Sequence, residues 1–199
     1  MPSTTERDKQ LAREPGATGR QPAAVVYDLD GTLARLAVDW QACEADLGVL
    51  LRAAGRDPAG LDAWEILAEA EAAGVGTEAA GTIAAYERSG AADARRLPTA
   101  DEVEAWAVPV GVCSLNCEAA CRRALDRIGL TEAIDVVIGR DSHATRKPDP
   151  GPLLAALEAL GAPPERSLFV GDSPSDRTTA ERAGVQFRSV PGGHTSRSE

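Results

Sequence analysis

Residues 25–33 read VVYDLDGTL, an apolar run that ends in two carboxylates, Asp28 and Asp30, on either side of one leucine. In extended backbone, alternate side chains project to the same face about 7 Å apart. Like charges so placed need compensation. Three other stretches offer it or add to the need: VPVGVCS (108–114) closes on Ser114 with Asn116 just beyond, RDSHATRKPDP (140–150) carries Lys147, and GDSPSD (171–176) carries Asp172 and Asp176. Four carboxylates cannot share a pocket unaided, because close like charges raise each other's pKa or demand a counter-ion. A hard divalent cation would serve, and Mg²⁺ combines one or two carboxylates with waters and a substrate phosphate. A carboxylate is also a nucleophile that can form an acyl-phosphate. Moving a phosphoryl group requires cations and donors around its spread negative charge. Lys147, Ser114 and the backbone N–H groups of the turn after Asp28 would supply them.

These residues need a scaffold that brings them together. Five short apolar runs have strand character: 24–29, 108–114, 135–139, 167–172 and 185–190. Several are continuous rather than alternating, which suits a parallel sheet covered on both faces. Helical patterns lie between them at 117–129, 150–161 and 175–184, closing on or next to glycine, with Pro150 opening the second. This alternation predicts an α/β fold with right-handed crossovers, a Rossmann-like three-layer parallel sheet. In such sheets ligands bind beyond the carboxyl ends of the strands, where all the chemistry-bearing residues fall.

One interval breaks the rhythm. About 80 residues separate the first strand from the second, where a crossover needs only a dozen or more. The segment from about 34 to 97 reads as almost purely helical, with no strand pattern, and is expected to form a small helical domain inserted after the DLDGTL turn. Trp40 and Trp64 are expected in its core. The resulting division is a core of 23–33 and 98–190, the insert at 34–97, and flexible polar tails at 1–22 and 191–199.

Composition narrows the class. A net charge of −10 argues against nucleic acid and anionic membrane as partners, and no stretch approaches the roughly 20 apolar residues of a spanning helix. The N-terminus has no apolar signal region, which favours a cytoplasmic protein. Only Lys9 and Lys147 are lysines, so Lys147 needs a local reason. An acidic, Lys-poor chain also suits a salt-adapted or high-GC source. Cys43, Cys113, Cys117 and Cys121 show no metal-ligand spacing and read as small buried residues of a reduced compartment. His143 and His194 have no partner at catalytic spacing and read as loop and tail residues.

The order Asp-x-Asp-Gly-Thr, Ser, Lys-Pro and Gly-Asp-x-x-x-Asp, each at a strand end, resembles the haloacid dehalogenase superfamily of phosphohydrolases, in its phosphoglycolate-phosphatase-like branch. The resemblance covers about 23–33 and 98–190. It implies that Asp28 is the nucleophile, and that Asp30 is the general acid and then the base that activates water. It also implies an Mg²⁺ site of Asp28, Asp30 (through its backbone carbonyl), Asp172 and Asp176, with Asp176 acting through a water or holding Lys147. Ser114 and Lys147 would grip the phosphoryl oxygens, helped by Gly31, Thr32 and Asn116, with Thr32 bracing the loop. The insert corresponds to the helical cap of one branch, which closes over small phosphorylated metabolites, and Arg35 and Arg88 are candidates to face substrate. Two departures stand out: Tyr27 replaces a more usual phenylalanine, and asparagine follows Ser114 one place later than is common.

The implied activity is Mg²⁺-dependent hydrolysis of a small phosphomonoester through an aspartyl-phosphate. A phosphoryl transferase such as a sugar-phosphate mutase uses the same intermediate and stays open, as does a catalytically silent binding or regulatory module. A dehalogenase is disfavoured by Asp30, since halide displacement needs no proton donor. Ser114 and Asp176 have a plainer alternative as helix caps. The substrate and the oligomeric state stay open.

Overall fold

The computed structural model describes residues 21–191, so the expected tails fall outside the described residues apart from positions 21, 22 and 191. Five parallel strands form the main sheet: β1 (Ala24–Tyr27), β4 (Val110–Cys113), β5 (Val136–Ile138), β6 (Ser167–Gly171) and β7 (Gln186–Ser189), in the order β5-β4-β1-β6-β7. The chain therefore steps from β1 through β4 to β5, then returns to the other side of β1 for β6 and β7. This reversal places a crevice beyond the carboxyl end of β1.

Alternation along β1 explains its unbroken apolar run. Val25 and Tyr27 pack into one core layer with α4 (Glu118–Arg127), while Ala24 and Val26 pack into the opposite layer with α5 (Gly151–Ala159) and α6 (Pro174–Ala183). Both faces of the strand are dry, as expected of a central parallel strand. Register is specified by Val25 opposite Val110 and by Tyr27 opposite Val170. The stretch before β4 is a 3₁₀ helix, Pro98–Ala105, anchored through Ala100 and Val103. The Tyr27 hydroxyl donates to Glu102 (2.9 Å) and accepts from Trp106 Nε1 (2.7 Å), so the tip of the side chain just before Asp28 is held by two partners.

Between β1 and β4 lie α1 (Trp40–Ala53), α2 (Ala63–Ala72) and α3 (Gly76–Ala91). Asp39 caps α1, and Asp62 with Glu65 forms a capping box on α2. The three helices share an apolar cluster of their own, centred on Leu47, Leu51, Ile66, Leu67 and Ile83. Trp40 and Trp64 sit half-buried at its edge, with ring centroids 5.9 Å apart, rather than at its centre. The segment is not helical throughout: β2 (Ala34–Arg35) and β3 (Arg95–Arg96) pair antiparallel where it leaves and rejoins the core. Strands of two residues carry no readable period, and their pairing depends on segments far apart in sequence, so no sequence pattern announces them.

Candidate active site

Asp28 follows directly on β1, and its N–H continues the ladder to the Val170 carbonyl (2.8 Å). The chain then turns. The Leu29 carbonyl accepts from the N–H groups of Leu33 (2.9 Å) and Ala34 (3.0 Å), and Gly31 adopts φ +96°. A Cβ at 31 would also lie 2.2 Å from Asp172 Oδ2, so any other residue there would push that carboxylate aside. The Asp172 carboxylate is thereby folded onto the turn that follows Asp28.

Lys147 arrives from the loop after β5, through a cis Lys147–Pro148 bond. Its ammonium donates to Asp28 Oδ1 (2.8 Å) and Asp176 Oδ1 (2.5 Å) and lies 5.7 Å from the Phe169 ring centre. Lys147 is 5% exposed and Asp28 6%. Burial alone would strip the charge from Lys147, but Asp28 and Asp176 outweigh it and push its pKa up. Burial is also the largest influence on Asp28. It raises the carboxyl to about 7, with Lys147 opposing and Asp176 and Asp172 reinforcing the rise.

Asp176 has two tasks at once. It is the N3 residue of α6, where Oδ2 accepts from the Ser173 N–H (3.1 Å) and hydroxyl (2.6 Å) while Ser173 Oγ accepts from the Asp176 N–H. Helix capping and lysine binding thus use different oxygens of the same carboxylate. The capping alternative for Ser114 does not hold: the N-cap of α4 is Cys117, without a side-chain cap of its own.

Asp28, Asp172 and Asp176 each offer an oxygen within 4.8 Å of the others. Three carboxylates with one ammonium leave two negative charges when all are ionised, the complement of a divalent cation, and all-oxygen donors suit Mg²⁺. Among the described residues, the buried Thr32 hydroxyl of the adjoining turn finds no hydrogen-bond partner, so it does not brace the loop by a hydrogen bond. These residues fit the cation. The Asp30 carboxylate lies outside the group of three, and its Oδ1 accepts from the Leu36 N–H (3.0 Å).

Ser114 and Asn116 are buried at the end of β4. The Ser114 N–H reaches the Ile138 carbonyl (2.9 Å), and its hydroxyl donates to Asn116 Oδ1 (3.2 Å). Arg35 is half-buried in β2, whereas Arg88 is exposed on α3. His143 is a half-buried loop residue bonded to Thr145, and His194 lies outside the described residues. The four cysteines are buried and unpaired.

Two residues beside the site escape a reading of the sequence. Glu87, one place before the nominated Arg88, is fully buried and pairs with Arg140 (2.6 Å) from the loop after β5. A signal existed: Ala79, Ile83, Glu87, Gly90 and Ala91 recur at helical spacing and form the buried face of α3. A charged residue on that stripe requires a partner, and only the fold could supply Arg140.

The family model for haloacid dehalogenase-like hydrolases matches residues 99–190. Phosphoglycolate phosphatase of Rhodospirillum rubrum is 38% identical over 186 residues, covering 82% of this chain and 77% of that enzyme. Phosphoglycolate phosphatase 1 of Pseudomonas aeruginosa is 29% identical over 205 residues, covering 92% and 74%. Among solved structures, a HAD-superfamily hydrolase of subfamily IA, variant 1, from Geobacter sulfurreducens superposes with a TM-score of 0.58 at 27% identity, over 86% of this chain and 92% of that one. CbbY from Rhodobacter sphaeroides, in complex with phosphate, shares the fold with a TM-score of 0.63 at 21% identity, over 90% of each chain. The chain belongs to the haloacid dehalogenase-like hydrolases. Its place among them is beside the phosphoglycolate phosphatases, and by class of activity it is a phosphatase, a phosphomonoester hydrolase.

Proposed function

We propose that this phosphatase works through an aspartyl-phosphate on Asp28, with Mg²⁺ held by Asp28, Asp172 and the backbone carbonyl of Asp30, and with Asp176 acting through a water or by holding Lys147. The observation that carries this is the Lys147 ammonium bridging Asp28 and Asp176, with Asp172 beside them. The lysine keeps one Asp28 oxygen in place and draws negative charge toward a site that anionic substrate must enter. Bound Mg²⁺ supplies a counter-charge to the phosphoryl oxygens and to the carboxylates around them.

Asp28 attacks phosphorus, and the bond from phosphorus to the ester oxygen breaks as Asp30 gives that oxygen its proton. Asp30, now ionised, takes a proton from a water that attacks the same phosphorus, releasing phosphate and restoring Asp28. The hydrogen bond from the Leu36 N–H to Oδ1 orients the Asp30 carboxylate at the end of the turn. Ser114, Lys147 and the Gly31–Thr32 turn grip the phosphoryl oxygens, while the Asn116 amide, which donates to Glu87 and accepts from the Ser114 hydroxyl, supports Ser114 from behind.

The helices of 34–97 act as a cap over a small phosphorylated metabolite, and the core consists of 23–33 and 98–190. Four unpaired thiols support a cytoplasmic setting. Among the described residues, no helix is long and apolar enough to cross a membrane. The test is hydrolysis of an aryl phosphate with and without Mg²⁺, comparing wild type with Asp28→Asn. Turnover is expected to need the metal and to vanish in the variant, and activity surviving the substitution would overturn the mechanism. Release of inorganic phosphate across a panel of phosphorylated acids, sugars and nucleotides separates hydrolysis from a mutase reaction.

A further inference from the structure

The buried Glu87–Arg140 pair joins α3 of the insert to the loops after β4 and β5. Glu87 accepts three hydrogen bonds: from Arg140 Nη1 (2.6 Å), from the Cys117 N–H (2.9 Å) and from Asn116 Nδ2 (3.4 Å). Arg140 Nη1 also donates to the Leu115 carbonyl (2.7 Å), and the guanidinium lies 5.3 Å from the Trp64 ring centre on α2. The side-chain hydrogen bonds from the pair to the core fall on 115–117, the segment just past Ser114. A buried ion pair is no more stabilising than a well-packed apolar pair, so stability alone does not account for it.

The hydrogen-bond directions show what it does. An ionised carboxylate only accepts, so Asn116 must turn its NH₂ toward Glu87. The amide oxygen then faces the other way, where it accepts from the Ser114 hydroxyl (3.2 Å). Ser114 Oγ in turn accepts from the Asn116 N–H (3.3 Å). Glu87 also occupies the start of α4, whose N-cap Cys117 brings no capping side chain. A negative charge is favourable there.

We propose that Glu87 is a positioning residue for the reaction. It fixes the Asn116 amide and the 114–117 loop, whose Asn116 N–H holds Ser114 Oγ, so that the insert sets the phosphoryl grip; on binding, the single Ser114 hydroxyl proton turns from Asn116 Oδ1 toward a phosphoryl oxygen. This rests on Ser114 gripping the phosphoryl group. Without Glu87 the amide has no preferred direction and the loop that places Ser114 Oγ is no longer held. Arg140 is the partner that makes burial of Glu87 tolerable, and it braces the same loop from the Leu115 side.

The test compares full-length wild type, Glu87→Gln, Asn116→Ala and Ser114→Ala for kcat, KM on an aryl phosphate, Ki of inorganic phosphate, and thermal melting. Glu87→Gln is expected to raise KM and Ki together by about tenfold, the change that ~1.4 kcal/mol produces, with kcat within about twofold of wild type. Asn116→Ala breaks the relay while leaving the ion pair in place. It is expected to reproduce those shifts with a native melt, and it carries the test if Glu87→Gln does not fold. Unchanged KM and Ki in Asn116→Ala would overturn the proposal. So would a Glu87→Gln defect confined to kcat and proportional to lost melting temperature, the mark of a purely structural role. Ser114→Ala separates the two levels. If it shifts Ki and the other variants do not, only the relay fails; if it too leaves Ki unchanged, the assignment of Ser114 fails with it.

Discussion

Replacing Lys147 by methionine keeps most of its volume and removes the one ammonium among three buried or half-buried carboxylates. Its contacts at 2.8 Å to Asp28 and 2.5 Å to Asp176 are worth about 6 and 7 kcal/mol of attraction at an effective dielectric near 20. Desolvation of the lysine offsets much of that, and the carboxylates can relax by taking up protons. Breaking a buried pair from one side costs about 3–5 kcal/mol. For a chain of this size that lowers the melting temperature by about 10 °C at neutral pH. The assay is thermal melting of Lys147→Met against wild type, in EDTA and in Mg²⁺. Mg²⁺ should restore part of the loss, because a cation again faces the carboxylates. Acid should narrow the gap as well. A carboxyl whose pKa is raised on folding, as burial raises that of Asp28 to about 7, binds more protons folded than unfolded. The cost of its charge is therefore present above about pH 7 and fades as pH falls toward the unfolded value, more so in the variant, which lacks the opposing lysine. A variant melting within about 2 °C of wild type in EDTA at neutral pH would refute the view that Lys147 makes the cluster tolerable.

Three other substitutions probe separate parts of the site. Gly31→Ala should strain a backbone held at φ +96° by about 1–2 kcal/mol and drive Asp172 off the turn, which a Mg²⁺ titration of activity would register as a higher half-saturation concentration. Asp30→Asn keeps an acceptor for the Leu36 N–H, so the melt should hold while steady-state turnover falls by about 10²–10⁴, as loss of general acid–base catalysis does. Glu71 pairs with Arg146, next to Lys147, but both side chains are well exposed; Glu71→Gln should change stability by less than about 1 kcal/mol, checked by denaturant unfolding.

Much of this was legible before any fold was known, because local rules govern it. The continuous apolar run before Asp28 marked a strand dry on both faces, and the glycines after the helical patterns marked their ends. The scarcity of lysine pointed to Lys147. Asp28, Asp172 and Asp176 could be named because each sits at the end of a strand pattern, and parallel strands deliver their carboxyl ends to one edge. The ribbon of β2 and β3 could not be read, since two-residue strands exist only through their pairing. Arg88 was nominated and its neighbour Glu87 passed over, although helical spacing placed Glu87 on the buried stripe of α3.

The sequence by itself determined which residues stand at strand ends and which side chains can act as nucleophile, acid or counter-ion. Those properties are intrinsic to residue type and to the spacing of neighbours along the chain. Tertiary structure alone decided how their charges are shared: Lys147 between Asp28 and Asp176, Asp172 over Gly31, and Glu87 with Arg140 behind the Ser114 loop. Coulombic and hydrogen-bond energies depend on distances of a few ångströms across segments far apart in sequence, and the packing of the sheet and its insert sets those distances.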